Sequence, residues 1–274
     1  MFGKRLFTIG CSYTNYWYPT WADWLGSEFN YYENLGISGL GNRGIFNRLS
    51  ELIYKRKVNE NDHVIIEWST PTREDRYFSG KGWLPKGSIY NQSFYSKDFI
   101  KNYYDPFMGL METINYIHAA KLMLNAVNCN FAMTFMIKLN GIMMKPDDDS
   151  KSYTELCDPE NKLKDYLEYV LSDEHVIDID MDRFCKECAA KYEIPNPARN
   201  LFHSDDLHPN PLSHYFYTKE IISKHLGFDN FDESGDMLDL ANKWCTYATS
   251  YPRNALQPRW PKNNNSAFTE LTFL

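Results

Sequence analysis

The ten residues Arg5-Leu6-Phe7-Thr8-Ile9-Gly10-Cys11-Ser12-Tyr13-Thr14 decide the reading of this chain. Residues 5–10 have the apolar and β-branched content of a buried strand, and Gly10 breaks that strand into a tight turn. Ser12 is thereby placed at the C-terminal end of the first strand, the edge where parallel α/β sheets build their sites. The rest of the chain keeps the alternation that such a sheet requires. Helical spacing covers residues 21–29, and a short strand follows over 31–35. The Gly-rich loop 36–44 then leads into a helix with Asn42 as its expected N-cap and Ile45, Leu49, Leu52 and Ile53 on one face. His63-Val64-Ile65-Ile66-Glu67-Trp68 is a buried-type strand. Helix 108–126, strand 130–137, helix 161–171, strand 175–180, helix 182–192 and a last helix opened by Pro211 and running to about residue 226 complete the pattern. The expected fold is an α/β, three-layer α/β/α sandwich with about five mostly parallel strands, flavodoxin-like in plan.

A second segment carries chemistry: His203-Ser204-Asp205-Asp206-Leu207-His208-Pro209, just before the last helix. An Asp three residues before a His on a tight loop can brace the imidazole and set its tautomer, and the imidazole can then accept a serine proton. Ser12, Asp205 and His208 are therefore the candidate catalytic residues. Asp206 is a competing brace with poorer reach, and Cys11 is a competing nucleophile with nothing basic nearby in sequence to form its thiolate. His214, six residues past His208, reads as a packing or capping residue.

These segments resemble a family. Gly10-Cys11-Ser12-Tyr13-Thr14 is similar to the Gly-Asp-Ser block that opens SGNH (GDSL-type) hydrolases, and Asp205-x-x-His208 to their closing block. Asn34-Leu35-Gly36-Ile37-Ser38-Gly39 resembles the second block, whose glycine gives a backbone N–H to the oxyanion. The likeness spans residues 5–226 and looks closest to versions carried by bacteriophages. It implies a serine esterase acting on small acyl esters, with O-acetyl groups on glycans as the attractive substrate, and with no metal and no cofactor. The alternative is a weak or inactive binding or structural module of the same fold, for example a glycan-contacting virion component. The Ser12 and Gly39 N–H groups would form the oxyanion hole. The family's third-block asparagine has no counterpart in Glu67-Trp68-Ser69-Thr70-Pro71-Thr72-Arg73. Losing one such donor costs about 10²–10³ in turnover, so a substitute is expected from Asn42, Thr70 or Arg73. Trp68 and Arg73 are also candidates for substrate binding.

Composition narrows the remaining classes. A chain of 274 residues with 43% hydrophobic content is long enough for one decorated domain, and a net charge of −7 argues against a nucleic-acid binder. The longest apolar run, residues 131–137, is too short to span a bilayer. No secretory signal is read at the N-terminus, so the expectation is a soluble protein in the cytoplasm of the producing cell, with virion association as the alternative. Six scattered cysteines suit reduced thiols, and the lone Cys185-x-x-Cys188 pair reads as helix packing ahead of redox or zinc chemistry. Residues 1–227 are expected to form the hydrolase-like domain. Within it, residues 69–106 form an aromatic-rich insertion, too long to be structureless and so an ordered lid and a natural sugar platform. Residues 228–274 are expected to be an extension that packs on the core or contacts an assembly partner.

Overall fold

The computed structural model describes residues 3–90, 94–139, 162–193 and 208–250. Five parallel strands form the central sheet: β1 (Gly3–Ile9), β2 (Phe29–Asn34), β3 (Asp62–Trp68), β6 (Asn130–Phe135) and β7 (Val176–Asp180). Their order is β2-β1-β3-β6-β7. The chain steps from β1 to one side and then returns to build the other side from β3 onward. The order thus reverses between β1 and β3, where a crevice opens at the strands' C-terminal ends.

Side-chain alternation explains why both faces are covered. Phe7, Ile9, Val64, Ile66, Trp68, Phe131, Met133 and Phe135 point into one core cluster, whereas Leu6, Ile65 and Ala132 point into the other. Successive strand residues face opposite sides, so each strand needs a helical layer above and below. The first layer is α2 (Asn42–Arg56), α4 (Pro106–Ala126) and α5 (Lys162–Leu171). The second is α1 (Trp21–Gly26), α6 (Met181–Lys191), α7 (Pro211–Tyr217, continued by a π turn over Thr218–Ile222) and α8 (Asp236–Ser250). The three-layer α/β/α sandwich is therefore present as expected. Among the described residues no helix is long and apolar enough to cross a membrane.

The structure departs from the sequence reading in several places, of which these bear on the site. Helix α1 stops at Gly26 because Phe29 is already the first residue of β2. Asn42 is the first residue inside α2, and Gly41 takes the cap position. The insertion at 69–106 is an antiparallel hairpin, β4 (Arg73–Phe78) with β5 (Gly82–Ser88), followed by the short helix α3 (Lys97–Tyr103). The described part of the C-terminal extension is built into the second layer. Phe231, Ala241 and Cys245 are buried there, and the Asp232 carboxylate accepts from the Tyr215 hydroxyl (2.7 Å) and from the Met237 and Leu238 N–H groups.

Candidate active site

Strand β1 ends at Ile9 and the chain turns at once, with the Thr14 and Asn15 N–H groups both donating to the Cys11 carbonyl. Gly10 is required here by space. A Cβ at this position would stand 2.1 Å from Thr14 Oγ1 and 2.9 Å from Glu67 Oε2, closer than real contacts allow. The turn is stitched to the loop after β2 by three bonds: Ile37 N–H to the Gly10 carbonyl (3.1 Å), Asn15 Nδ2 to the Gly36 carbonyl (2.8 Å) and Asn34 Nδ2 to the Thr14 carbonyl (2.7 Å). Gly39, in the same loop, has φ +79°, a left-handed conformation that favours glycine.

His208 reaches this turn from the far end of the chain. Its Nε2 lies 2.8 Å from Ser12 Oγ. Contacts among the described residues help hold the imidazole in place. Its ring stacks on Tyr16 (centroids 4.3 Å apart, 15° between planes), and the Tyr18 hydroxyl donates to the Pro209 carbonyl at 2.6 Å. Asn210 then caps α7, its side chain accepting from the Ser213 N–H at 2.8 Å, with Pro211 in the first turn. Asp205 and Asp206 lie outside the described residues. Ser12 is only 2% exposed. His214 packs behind the pair, edge-on to Tyr13, and burial drives its pKa down to about 3, so it stays neutral.

The expected oxyanion donors fare differently. Asn42 is buried with its amide committed: Nδ2 donates to the Ser69 carbonyl (3.0 Å) and to Thr113 Oγ1 (2.9 Å), while Oδ1 accepts from the Ser69 N–H (2.8 Å). Both amide hydrogens are used, so Asn42 ties α2 to the loop after β3 and has none to give an oxyanion. The Thr70 hydroxyl is shared with that of Thr72 at 3.1 Å. Trp68, expected at the substrate, is 0% exposed and packed in the first core cluster. Arg73 is different. Its guanidinium donates to the Leu40 carbonyl (3.2 Å), next to Gly39, and reaches the Met136 sulfur, within the charge field of Cys11 and Glu67.

Glu67 was not singled out in the sequence, although a carboxylate inside an otherwise apolar strand is the signal that finds it. It is 0% exposed, directly under the turn from Gly10 to Thr14. The Thr14 hydroxyl donates to one of its oxygens in a short bond, and the Cys11 thiol approaches the other at 3.7 Å. Burial raises its pKa to about 7 against the opposing pull of Thr14 and Arg73. Burial and the neighbouring Glu67 also raise the Cys11 thiol, which therefore stays protonated and is a poor nucleophile. Cys185 and Cys188 are buried on α6, with burial raising both thiols. Among the described residues no group of three or more His, Cys, Asp or Glu could hold a metal ion.

No protein-family model and no curated protein matches the chain. Among solved structures, it is similar to a member of the lipolytic G-D-S-L protein family from Veillonella parvula (12% identity over 79% of this chain and 94% of that one, TM-score 0.43). It is also similar to the protein YxiM from Bacillus subtilis (12% identity, 84% and 58%, TM-score 0.47). A third is a GDSL-like lipase from Bacteroides thetaiotaomicron (15% identity, 82% and 88%, TM-score 0.38).

Proposed function

We propose that the chain is an SGNH-type serine esterase that hydrolyses small acyl esters, with O-acetyl groups on glycans as its substrate class. The observation that carries this reading is the 2.8 Å approach of His208 Nε2 to Ser12 Oγ at the sheet's C-terminal edge, beside the point where strand order reverses. With Nε2 unprotonated, the Ser12 hydroxyl donates to it. Oγ attacks the ester carbonyl carbon as its proton passes to Nε2. Collapse of the tetrahedral intermediate expels the alcohol, which takes that proton and leaves an acyl group on Ser12. Water, giving a proton to His208, then releases the acid and restores the serine. Asp205, three residues before His208, is assigned to orient the imidazole through Nδ1. The Ser12 and Gly39 N–H groups face the developing oxyanion, and the Arg73 guanidinium, anchored on the Leu40 carbonyl, supplies the positive potential that the absent third-block asparagine would have provided.

The competing reading is a glycan-contacting module without turnover, associated with a virion. One observation favours it: the amide of Asn42, the asparagine expected to replace the third-block donor, is spent on the scaffold. A panel of short-chain chromogenic esters separates the two. The wild type is expected to hydrolyse at least one, Ser12→Ala and His208→Ala each to lose nearly all activity, and the double variant to be little worse than either. Arg73→Met is expected to lower kcat by roughly 10²-fold with little change in KM. Full activity in folded Ser12→Ala protein, or a wild type inert towards every ester, ends the esterase reading.

A further inference from the structure

The segment from Arg76 to Tyr103 has a chemistry unlike the rest of the chain. It contains Arg76, Lys81, Lys86, Lys97 and Lys101 against a single carboxylate, Asp98, a net charge of +4 inside a protein of net charge −7. Eight of its 28 residues are aromatic. The structure places much of this material on the outside: Tyr77 is 51% exposed, Phe78 is 42% and Phe94 is 55%, and Lys81 is exposed at the hairpin turn. Cations and rings are interleaved. Lys86 Nζ lies 5.3 Å from the Phe78 ring centroid and 5.1 Å from that of Phe94. The Arg76 guanidinium, ion-paired with Glu74 of the same strand (3.3 Å), sits about equally far from Tyr95 and Phe99. That pairing leaves the lysines of the hairpin turn and β5 as its cations without a carboxylate partner among the described residues. Tyr77 and Trp83 meet edge to face across the two strands at 5.6 Å.

The hairpin is held rigidly beside the candidate site. Asp75, buried at its base, accepts from the Gly41 N–H (3.0 Å) and the Gly44 N–H (2.7 Å). Pro85 packs over Gly39, its Cβ 3.8 Å from where a Cβ on that glycine would stand. A ligand lying along the hairpin therefore leads to the Gly39 loop.

We propose that β4, β5 and α3 form a platform for a carboxylate-bearing polysaccharide. Planar aromatic faces stack on the C–H faces of sugar rings, and ammonium groups fixed between those faces meet carboxylates spaced along a polymer. The charge complementarity is local, so an acidic protein that repels a polyanion elsewhere draws it to this one surface. A lipid surface fits less well, because the exposed apolar residues of the segment are aromatic and no aliphatic side chain stands out with them. The proposal deepens the esterase reading by naming the polymer that carries the acyl group, and it rests on that reading for the reason a polymer should be held there.

Binding can be read apart from turnover by using polygalacturonate, which carries no ester, with the full chain in isothermal titration calorimetry. The wild type is expected to bind it at least tenfold more tightly than neutral dextran, with the difference shrinking as salt is raised from 50 to 300 mM. Lys81→Glu with Lys86→Glu should weaken binding at least tenfold and leave turnover of a chromogenic acetate unchanged. Phe78→Ala with Phe94→Ala should weaken it without altering its salt dependence. Equal affinity for dextran, no binding, binding only to phosphatidylglycerol vesicles, or charge reversal without effect each overturn the proposal. Binding by a wild type that is inert towards all esters would keep the platform and remove the esterase reading.

Discussion

At Glu67 a carboxyl group with no solvent contact sits under the turn that presents Ser12, and its ionisation is coupled to the stability of the whole chain. Its folded pKa, about 7, stands above the ordinary value of 4.5, so the folded state holds the proton more tightly than the unfolded state does. Stability from this group is fully present below pH 4.5 and is lost as pH rises through 7, by at most about 3 kcal/mol. Glu67→Gln, which mimics the protonated form, should therefore gain on the wild type between pH 5 and pH 8 in urea unfolding. An equal difference at both values would show that the carboxyl does not titrate in this range. At this scale the sequence was legible where it paired two distant residues: Ser12 and His208, read together from their motifs, lie 2.8 Å apart. It was not legible where a partner decides the role. Nothing near Asn42 in sequence reveals that Ser69 and Thr113 consume its amide, and nothing near Trp68 reveals which way the last residue of β3 faces.

Among the elements, the β4–β5 hairpin is the one that periodicity could not describe. Its strands read as a patternless insertion because a two-stranded ribbon with both faces half-exposed has no apolar alternation to display. Its stability comes from an anchor elsewhere: Asp75 satisfies two N–H groups at the start of α2, 34 and 31 residues away in sequence. Asp75→Ala leaves both N–H groups buried without an acceptor and frees the hairpin from α2. The expected result is a loss of about 2–4 kcal/mol in chemical unfolding, with new limited-proteolysis cuts between residues 73 and 90. Cleavage unchanged from the wild type would mean that the hairpin is held by other contacts. By contrast, the five sheet strands and α4 were visible to within two residues at each end, since burial on both faces or one strong apolar stripe leaves a clear signature.

For the molecule as a whole, layering was legible because strands alternate with helices along the chain. The place of the C-terminal extension was not, because a helix that caps an existing layer looks in sequence like any surface helix. Phe231, Ala241 and Cys245 sit in the same core as Trp21, Trp24 and Tyr215, so a division at residue 227 cuts through a packed layer. Phe231→Ala should cost about 3 kcal/mol in thermal or urea unfolding. A chain ending at residue 227 should lose cooperative unfolding, and a truncated chain as stable as the wild type would restore the extension to the status of an appendage. The Ser12–His208 contact spans 196 residues and closes nearly the full length of the described fold. Synthesis at roughly 5–20 residues per second therefore separates the appearance of the two side chains by about 10–40 s. Through that interval the serine waits without its partner. Any chemistry that needs the pair is therefore closed to a growing chain until His208 has been made and has folded back onto β1.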